Sequence, residues 1–246
     1  KTFIESVEDG RAISYHEAYV SCCRIGHYLR LKGFEANDRV ALMSNNSIEH
    51  LLIYIGVMAY GATVCTIHVE MNALYIDEII SSVKPKIILF EEAAGLDISS
   101  IDGIEKLSLG RFDDAVEGSF YKAISEFENA PQELPINSPE DIASIFYTSG
   151  TSSKPKGVMY SFADLSQNAE AVAAGFALRA DDRILDFRSF NWMSAQVLSA
   201  LGMLSVGATL LLARKFSSSK FFDWIKDFNA TIAAGNPTTI NMLINR

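Results

Sequence analysis

The chain has 246 residues, 49% of them hydrophobic, and a formal net charge of −9 at pH 7. That is enough chain to bury a large core in one or two compact units. The acidic balance excludes a general binder of nucleic acid or of anionic membrane, since nothing offsets the repulsion. A phosphate site on such a chain must be a local positive spot on an acidic body.

In chain order, Ser14 with Glu17 three residues on makes a capping box and starts a helix. Ala18, Cys22, Ile25 and Leu29 then form its apolar face, and Gly33 ends it. Arg39 to Met43 reads as a strand. Asn46, followed by Glu49, is expected to cap a helix reaching Tyr60. Ala62 to Ile67 reads as a strand, Asn72 to Val83 as a helix, and Lys86 to Phe90 as a strand. Repeated β-α-β units of this kind predict an α/β fold of mainly parallel sheets flanked by helices.

Glu91 to Asn129 is polar and uneven, with a strand at Lys106 to Leu109 and a short helix at Tyr121 to Glu128. Pro131 to Pro139 is proline-rich and reads as a connector between two sub-lobes, 1–130 and 140–246. Ser138, Pro139 and Asp141 make a capped turn into the apolar strand Ile142 to Phe146. Past the strand-like Val158 to Tyr160, Ser161 with Asp164 starts a helix whose apolar face holds Leu165, Ala169, Val172 and Phe176. Arg183 to Phe187 reads as a strand, and the remainder as strand, helix, strand, helix, with Asn236-Pro237 opening the last one.

Two uncharged stretches, Leu51 to Ile67 and Trp192 to Ala213, resemble membrane spans in length. Each holds a glycine followed by a β-rich run, Gly61 before ATVCTI and Gly207 before ATLLL, which predicts a helix handing over to a buried strand and no membrane span. Lys1 to Gly10 carries three acidic residues and no apolar run, so this stretch is not expected to be a signal peptide. Cys22, Cys23 and Cys65 give neither a disulfide framework nor a C-x-x-C site, and read as core thiols in a reducing, cytoplasmic setting. His16, His27, His50 and His68 share no ligand spacing.

The stretch from Tyr147 to Ser161, YTSGTSSKPKGVMYS, carries the chemistry. Small and hydroxyl residues from Thr148 to Ser153 are followed by Lys154 and Lys156. A strand that empties into such a loop offers backbone N–H groups, hydroxyl donors and ammonium groups to phosphate oxygens. It is not a Walker loop, because Lys156 is followed by Gly157 and a second strand rather than a helix. Ser153-x-x-Lys156 matches S-x-x-K, but Pro155 and Gly157 oppose the helix that motif needs.

The stretch resembles the signature loop of the adenylate-forming superfamily, whose usual form is close to Y-T-S-G-T-T-G-x-P-K-G-V. Tyr147, Thr148, Ser149, Gly150, Thr151, Pro155, Lys156, Gly157 and Val158 match. Ser152 stands for the usual threonine and Ser153 for the usual glycine, where a positive φ would strain a serine. LKGFEANDRVALMSNNSIEHLLIYIGVMAYGATVCTIH is similar to the family's N-terminal region, and Pro237-Thr238 to its P-T pair. No functional residue is inferred in the N-terminal region.

The resemblance implies two half-reactions: ATP-dependent formation of an acyl-adenylate, then transfer of the acyl group to a thiol, most like an acyl-CoA synthetase. It implies ATP, Mg²⁺ and coenzyme A, with a small carboxylic acid as substrate and no nucleic acid. Thr148, Ser149, Gly150, Thr151, Ser152 and Ser153 would cradle the β- and γ-phosphates, Lys156 would face the departing pyrophosphate, and Thr151 would lend an oxygen to Mg²⁺. In FNWMSAQ, Phe190 to Gln196, either Asn191 or Trp192 replaces the histidine that borders the acyl pocket in many relatives. Further motifs of the family and its small C-terminal domain are absent, so the chain is expected to be the N-terminal part of a longer enzyme and inactive alone. A carrier-loading adenylation domain and a non-catalytic nucleotide-binding or interaction module remain alternatives.

Overall fold

In the computed structural model the described residues are 1–114, 116–131, 138–148 and 155–245. Among them the strands are β1 (Thr2–Ser6), β2 (Ala12–Ser14), β3 (Arg39–Met43), β4 (Thr63–Thr66), β5 (Ile87–Phe90), β6 (Glu105–Ser108), β7 (Ile142–Thr148), β8 (Lys156–Ser161), β9 (Arg183–Asp186), β10 (Thr209–Leu212) and β11 (Ile232–Ala233). They form two sheets, ordered β6-β5-β3-β4-β7-β8 and β11-β9-β10-β1-β2. The chain is mixed α/β, and both sheets are mostly parallel: β8 runs against β7, and β2 against β1.

The first compact unit holds Tyr19–Asn45 and Glu49–Asp164, and with them the six-stranded sheet. Helix α1 (Tyr15–Leu31) starts on the expected capping box: the Ser14 N–H and hydroxyl donate to Glu17 Oε2 at 2.8 and 2.6 Å, and the Glu17 N–H donates back to Ser14 Oγ at 3.2 Å. Helix α2 (Ile48–Tyr60) is apolar nearly all round, with Leu51, Leu52, Ile53, Tyr54 and Val57 fully buried, as suits a helix enclosed in a core. Helix α3 (Ala73–Val83) is capped by Asn72, whose side chain accepts from the Leu74 N–H at 2.9 Å.

The apolar stripe of α3, Ile76, Ile79, Ile80 and Val83, packs on Ala41, Met43, Cys65, Ile67, Ile88 and Ile145. Each such side chain contributes about 2 kcal/mol on burial. The strand contributors alternate along the chain, so they define one face of the sheet. Tyr54 of α2, fully buried, lies beside Ser144 on the other face. Helices therefore cover both faces, as a parallel sheet requires. Gly61, at φ +101, lets the chain turn from α2 into β4.

The second unit holds Lys1–Ala18, Asn46–Ile48 and Leu165–Arg246, with the five-stranded sheet. Its core gathers Val7, Leu185, Phe187, Leu211, Ala213, Phe221 and Trp224. A helical run over 193–206 precedes β10, and its middle, Gln196–Leu201, is π-helical. Gly207, at φ +71, ends it before the strand. The last helix, Pro237–Ile244, has the expected Asn236 cap, which accepts from the Thr239 N–H at 2.9 Å. Among the described residues no helix is long and apolar enough to cross a membrane.

Several expectations need correction. Asn46 lies two residues before α2, and its carboxamide bonds to Arg188, Phe190 and Ala213 rather than capping the helix. Helix α4 (Phe120–Ser125) ends before the expected Glu128, and helix α5 (Phe162–Gly175) before Phe176, which is 64% exposed and outside the apolar face assigned to it. Of the expected connector, 132–137 lie outside the described residues. The two units meet along the chain elsewhere, at Asp164–Leu165 and in the first half, because β7 pairs with β4 (Val64 with Ser144) and β1 with β10 (Ile4 with Leu210).

Candidate functional site

In the first unit, β7 is parallel to β4, so it delivers the chain to the carboxyl edge of the sheet, where ligands gather in open α/β folds. Thr148 is its last residue. The chain returns as β8, whose first residue, Lys156, is paired with Thr148. Of the residues assigned to the phosphate loop, the structure therefore brings Thr148 and Lys156 together. Ser149, Gly150, Thr151, Ser152 and Ser153 lie outside the described residues, as does Lys154. Lys156 is exposed.

The hairpin is braced below the loop. Phe146 and Tyr160 stack with ring centroids 5.7 Å apart. On the α3 face, Tyr147 crosses its pair partner Gly157 so closely that a Cβ there would lie 3.0 Å from Tyr147 Cζ. Close approach of a ring is the reason for a glycine here. Burial pushes the Tyr147 hydroxyl above the usual phenol range, with a bond from Ser82 acting against it. A cleft of about 810 Å³ opens on this side, with Arg39, Asp77, Ser82, Tyr147 and Met159 among its walls.

Two further contacts sit at the same carboxyl edge and carry no sequence signal. Just past β3, Ser44 Oγ lies 2.7 Å from His50 Nδ1, both residues fully buried. Next to it, Asn45 donates from its N–H and from Nδ2 to Glu91 Oε2, each at 2.9 Å, which ties the ends of β3 and β5. His50 is thus a hydrogen-bonded core histidine, and Asn45 and Glu91 hold the edge in shape.

In the second unit the comparable edge lies past β9. Asp186 is fully buried at the strand end and accepts from the Arg188 N–H at 2.8 Å, from its guanidinium at 2.7 to 3.2 Å, and from the Ser199 hydroxyl. Buried polar groups of this kind are held by hydrogen bonds, and here the donors converge on one carboxylate. The pair folds the chain into a turn, Ser189 to Trp192, that carries the two candidates for the acid pocket. Asn191 is 4% exposed, and its Nδ2 donates to Ser189 Oγ at 3.2 Å. Trp192 is 37% exposed and opens the helical run. Of the two candidates, Trp192 keeps exposed surface, and Asn191 is buried in the turn.

The family described as AMP-binding enzyme matches residues 1–246. Crotonobetaine/carnitine–CoA ligase of Escherichia fergusonii is 27% identical over 248 residues, covering 94% of this chain and 46% of its own length. Bacitracin synthase 3 of Bacillus licheniformis is 24% identical over 240 residues, covering 96% of this chain and 4% of its own. Among solved structures, ATP-bound MatB from Rhodopseudomonas palustris superposes with a TM-score of 0.88 at 25% identity, over 100% of this chain and 48% of that one. The chain thus spans less than half the length of these relatives.

Proposed function

We propose, from the premise that this chain belongs to the AMP-binding enzyme family, that the protein carrying it activates a carboxylic acid with ATP and passes the acyl group to coenzyme A. The observation that carries this reading is the Thr148–Lys156 pair. It holds both ends of a hydroxyl-and-lysine loop at the carboxyl edge of a parallel sheet. The likeness to a CoA ligase and to an ATP-bound structure supports it.

In the first half-reaction a carboxylate oxygen attacks the α-phosphorus of ATP, the bond to the β-phosphate breaks, and pyrophosphate leaves. The acid is already ionised at pH 7, so no general base is needed. What the protein must supply is position and neutralisation of charge growing on the leaving phosphates. Thr148, Ser149, Gly150, Thr151, Ser152 and Ser153 are assigned to the β- and γ-phosphates, and Lys156 to the departing pyrophosphate. Mg²⁺ is assigned to the phosphates with an oxygen from Thr151. Such an ion would be carried mainly by phosphate oxygens, since Mg²⁺ takes one or two protein oxygens beside them. In the second half-reaction the thiol sulfur attacks the acyl carbon and AMP leaves. The turn with Asn191 and Trp192 is assigned to the acid. The free cysteines fit a reducing compartment such as the cytoplasm.

A second reading is favoured by the likeness to bacitracin synthase 3: a domain that loads the thiol of a carrier protein instead of coenzyme A. A pyrophosphate-release screen of the full-length protein over short, branched, aromatic and long-chain acids, with and without coenzyme A, separates the two. Acid-dependent release with thioester formed on coenzyme A is the expected result. Release without any thioester favours the carrier protein, and no release with any acid overturns both.

A further inference from the structure

Asn46 lies in the N-terminal stretch to which the sequence assigned no functional role, and it is 4% exposed. Its Nδ2 donates to Arg188 O at 2.8 Å and to Ala213 O at 3.0 Å, and its Oδ1 accepts from the Phe190 N–H at 2.9 Å. Donating to one residue and accepting from the next but one is how a neighbouring strand pairs. The carboxamide therefore acts as a strand partner where β9 has already ended. It uses both of its donors in doing so.

Gln196 grips the same residue from the other side, with Nε2 donating to Phe190 O at 2.7 Å. Phe190 is itself fully buried, so its side chain adds an anchor. Two residues on, the Trp192 N–H donates to Ser189 O at 3.1 Å, and its carbonyl accepts from Ala195 and Gln196 at 3.1 and 3.2 Å. The backbone on either side of the indole is committed, while the indole keeps an exposed face.

We infer that Asn46 and Gln196 are positioning residues that set acid selectivity, by fixing through Phe190 where the Trp192 indole stands. The inference rests on the assignment of Trp192 to the acid site. An indole covers acids with an apolar body, and it does so only while the ring stays in register with the reacting carboxylate. Asn46 and Gln196 touch no reacting atom; they act through the turn.

The test uses the full-length protein and its acid-dependent pyrophosphate release, with KM for acid and for ATP measured in Asn46→Ala, Gln196→Met and Trp192→Ala. All three variants are expected to raise the acid KM about tenfold, with the ATP KM held within about twofold, as for a sub-ångström misplacement of one wall. A direct optical readout runs alongside. The acrylamide quenching lost on Trp192→Ala reports that indole whatever other tryptophans the full-length protein holds, and it should rise when Asn46→Ala or Gln196→Met is added. If Trp192→Ala moves the acid KM but neither clamp variant does, the inference falls and the pocket assignment stands. No effect from Trp192→Ala overturns both. Equal rises in acid and ATP KM reveal general damage and overturn the inference. Should Asn46→Ala fail to fold, Gln196→Met decides.

Discussion

Lys156 stands directly opposite Thr148 in the antiparallel ladder of β7 and β8, the last registered pair before the loop. That pairing fixes the lysine backbone relative to the sheet, at the edge to which the phosphates are assigned. Lys156→Ala in the full-length protein should lower ATP–pyrophosphate exchange at least about tenfold, the scale of removing one preorganised charge. Lys156→Arg should retain part of the rate. An exchange rate left unchanged by the alanine removes Lys156 from the site.

The contact between α1 and α2 makes a prediction about packing alone. A Cβ added at Gly56 would lie 2.5 Å from Ile25 Cδ1, and Ile25 is fully buried. Alanine would gain about 1 kcal/mol in helix propensity, but overpacking costs about 1–3 kcal/mol. Gly56→Ala should therefore destabilise the chain in urea titration. Ile25→Val removes the clashing methyl, and in that background the penalty should shrink by about 1 kcal/mol. Strictly additive effects of the two changes would show that the clash is not the cause.

Stability should fall on the acid side for an identifiable reason. Ser161 holds the Asp164 carboxyl below its usual range through its hydroxyl and its N–H, and Asn37 and the Ser138 N–H do the same for Asp141. Ser14 lowers Glu17 in the same way. A carboxylate with a lowered pKa in the folded chain adds stability above its unfolded pKa, and that gain is lost as pH falls through the folded value. The urea midpoint should hold at neutral pH and drop below about pH 4. Asp164→Asn should make the drop shallower; a slope equal to that of the unmodified chain would rule Asp164 out as a contributor.

Burial pushes the thiols of Cys22 and Cys65 up to about 12. Thiolate is the reactive form, so at pH 8 neither should react with a thiol reagent in the folded chain. Both should react in denaturant. Labelling of Cys65 in the native chain, located by mass spectrometry, would contradict its full burial.

The elements read most easily from sequence were those with local signals. Strands β3, β4 and β5 are short apolar runs between caps and glycines, and the capping boxes at Ser14 and Ser161 formed as their spacing implied. Strand β1 was missed because TFIES is short and carries an acid, while its partners, β2 and β10, include one more than 200 residues away. Asn46 misled because Asn-x-x-Glu before an apolar helix has the form of a cap, and nothing local shows that the carboxamide is used by a distant turn. Asp186 and Arg188 gave no signal either, since a charge at a strand end looks solvated until Ser199 closes over it. The loop assigned to the phosphates is written in consecutive residues, whereas the turn assigned to the acid draws on contacts spread from Asn46 to Ser199.

The wide turn at Gln196–Leu201 has a consequence for kinship. A π turn takes in one residue more than an α turn, so Gly202–Val206 sits about 100° further round the axis than an unbroken α-helix would place it. Homologues with a regular helix here should be one residue shorter between β9 and β10. Counted forward from β9 and backward from β10, the histidine that the family resemblance places here would then fall on adjacent positions, as Asn191 and Trp192 are.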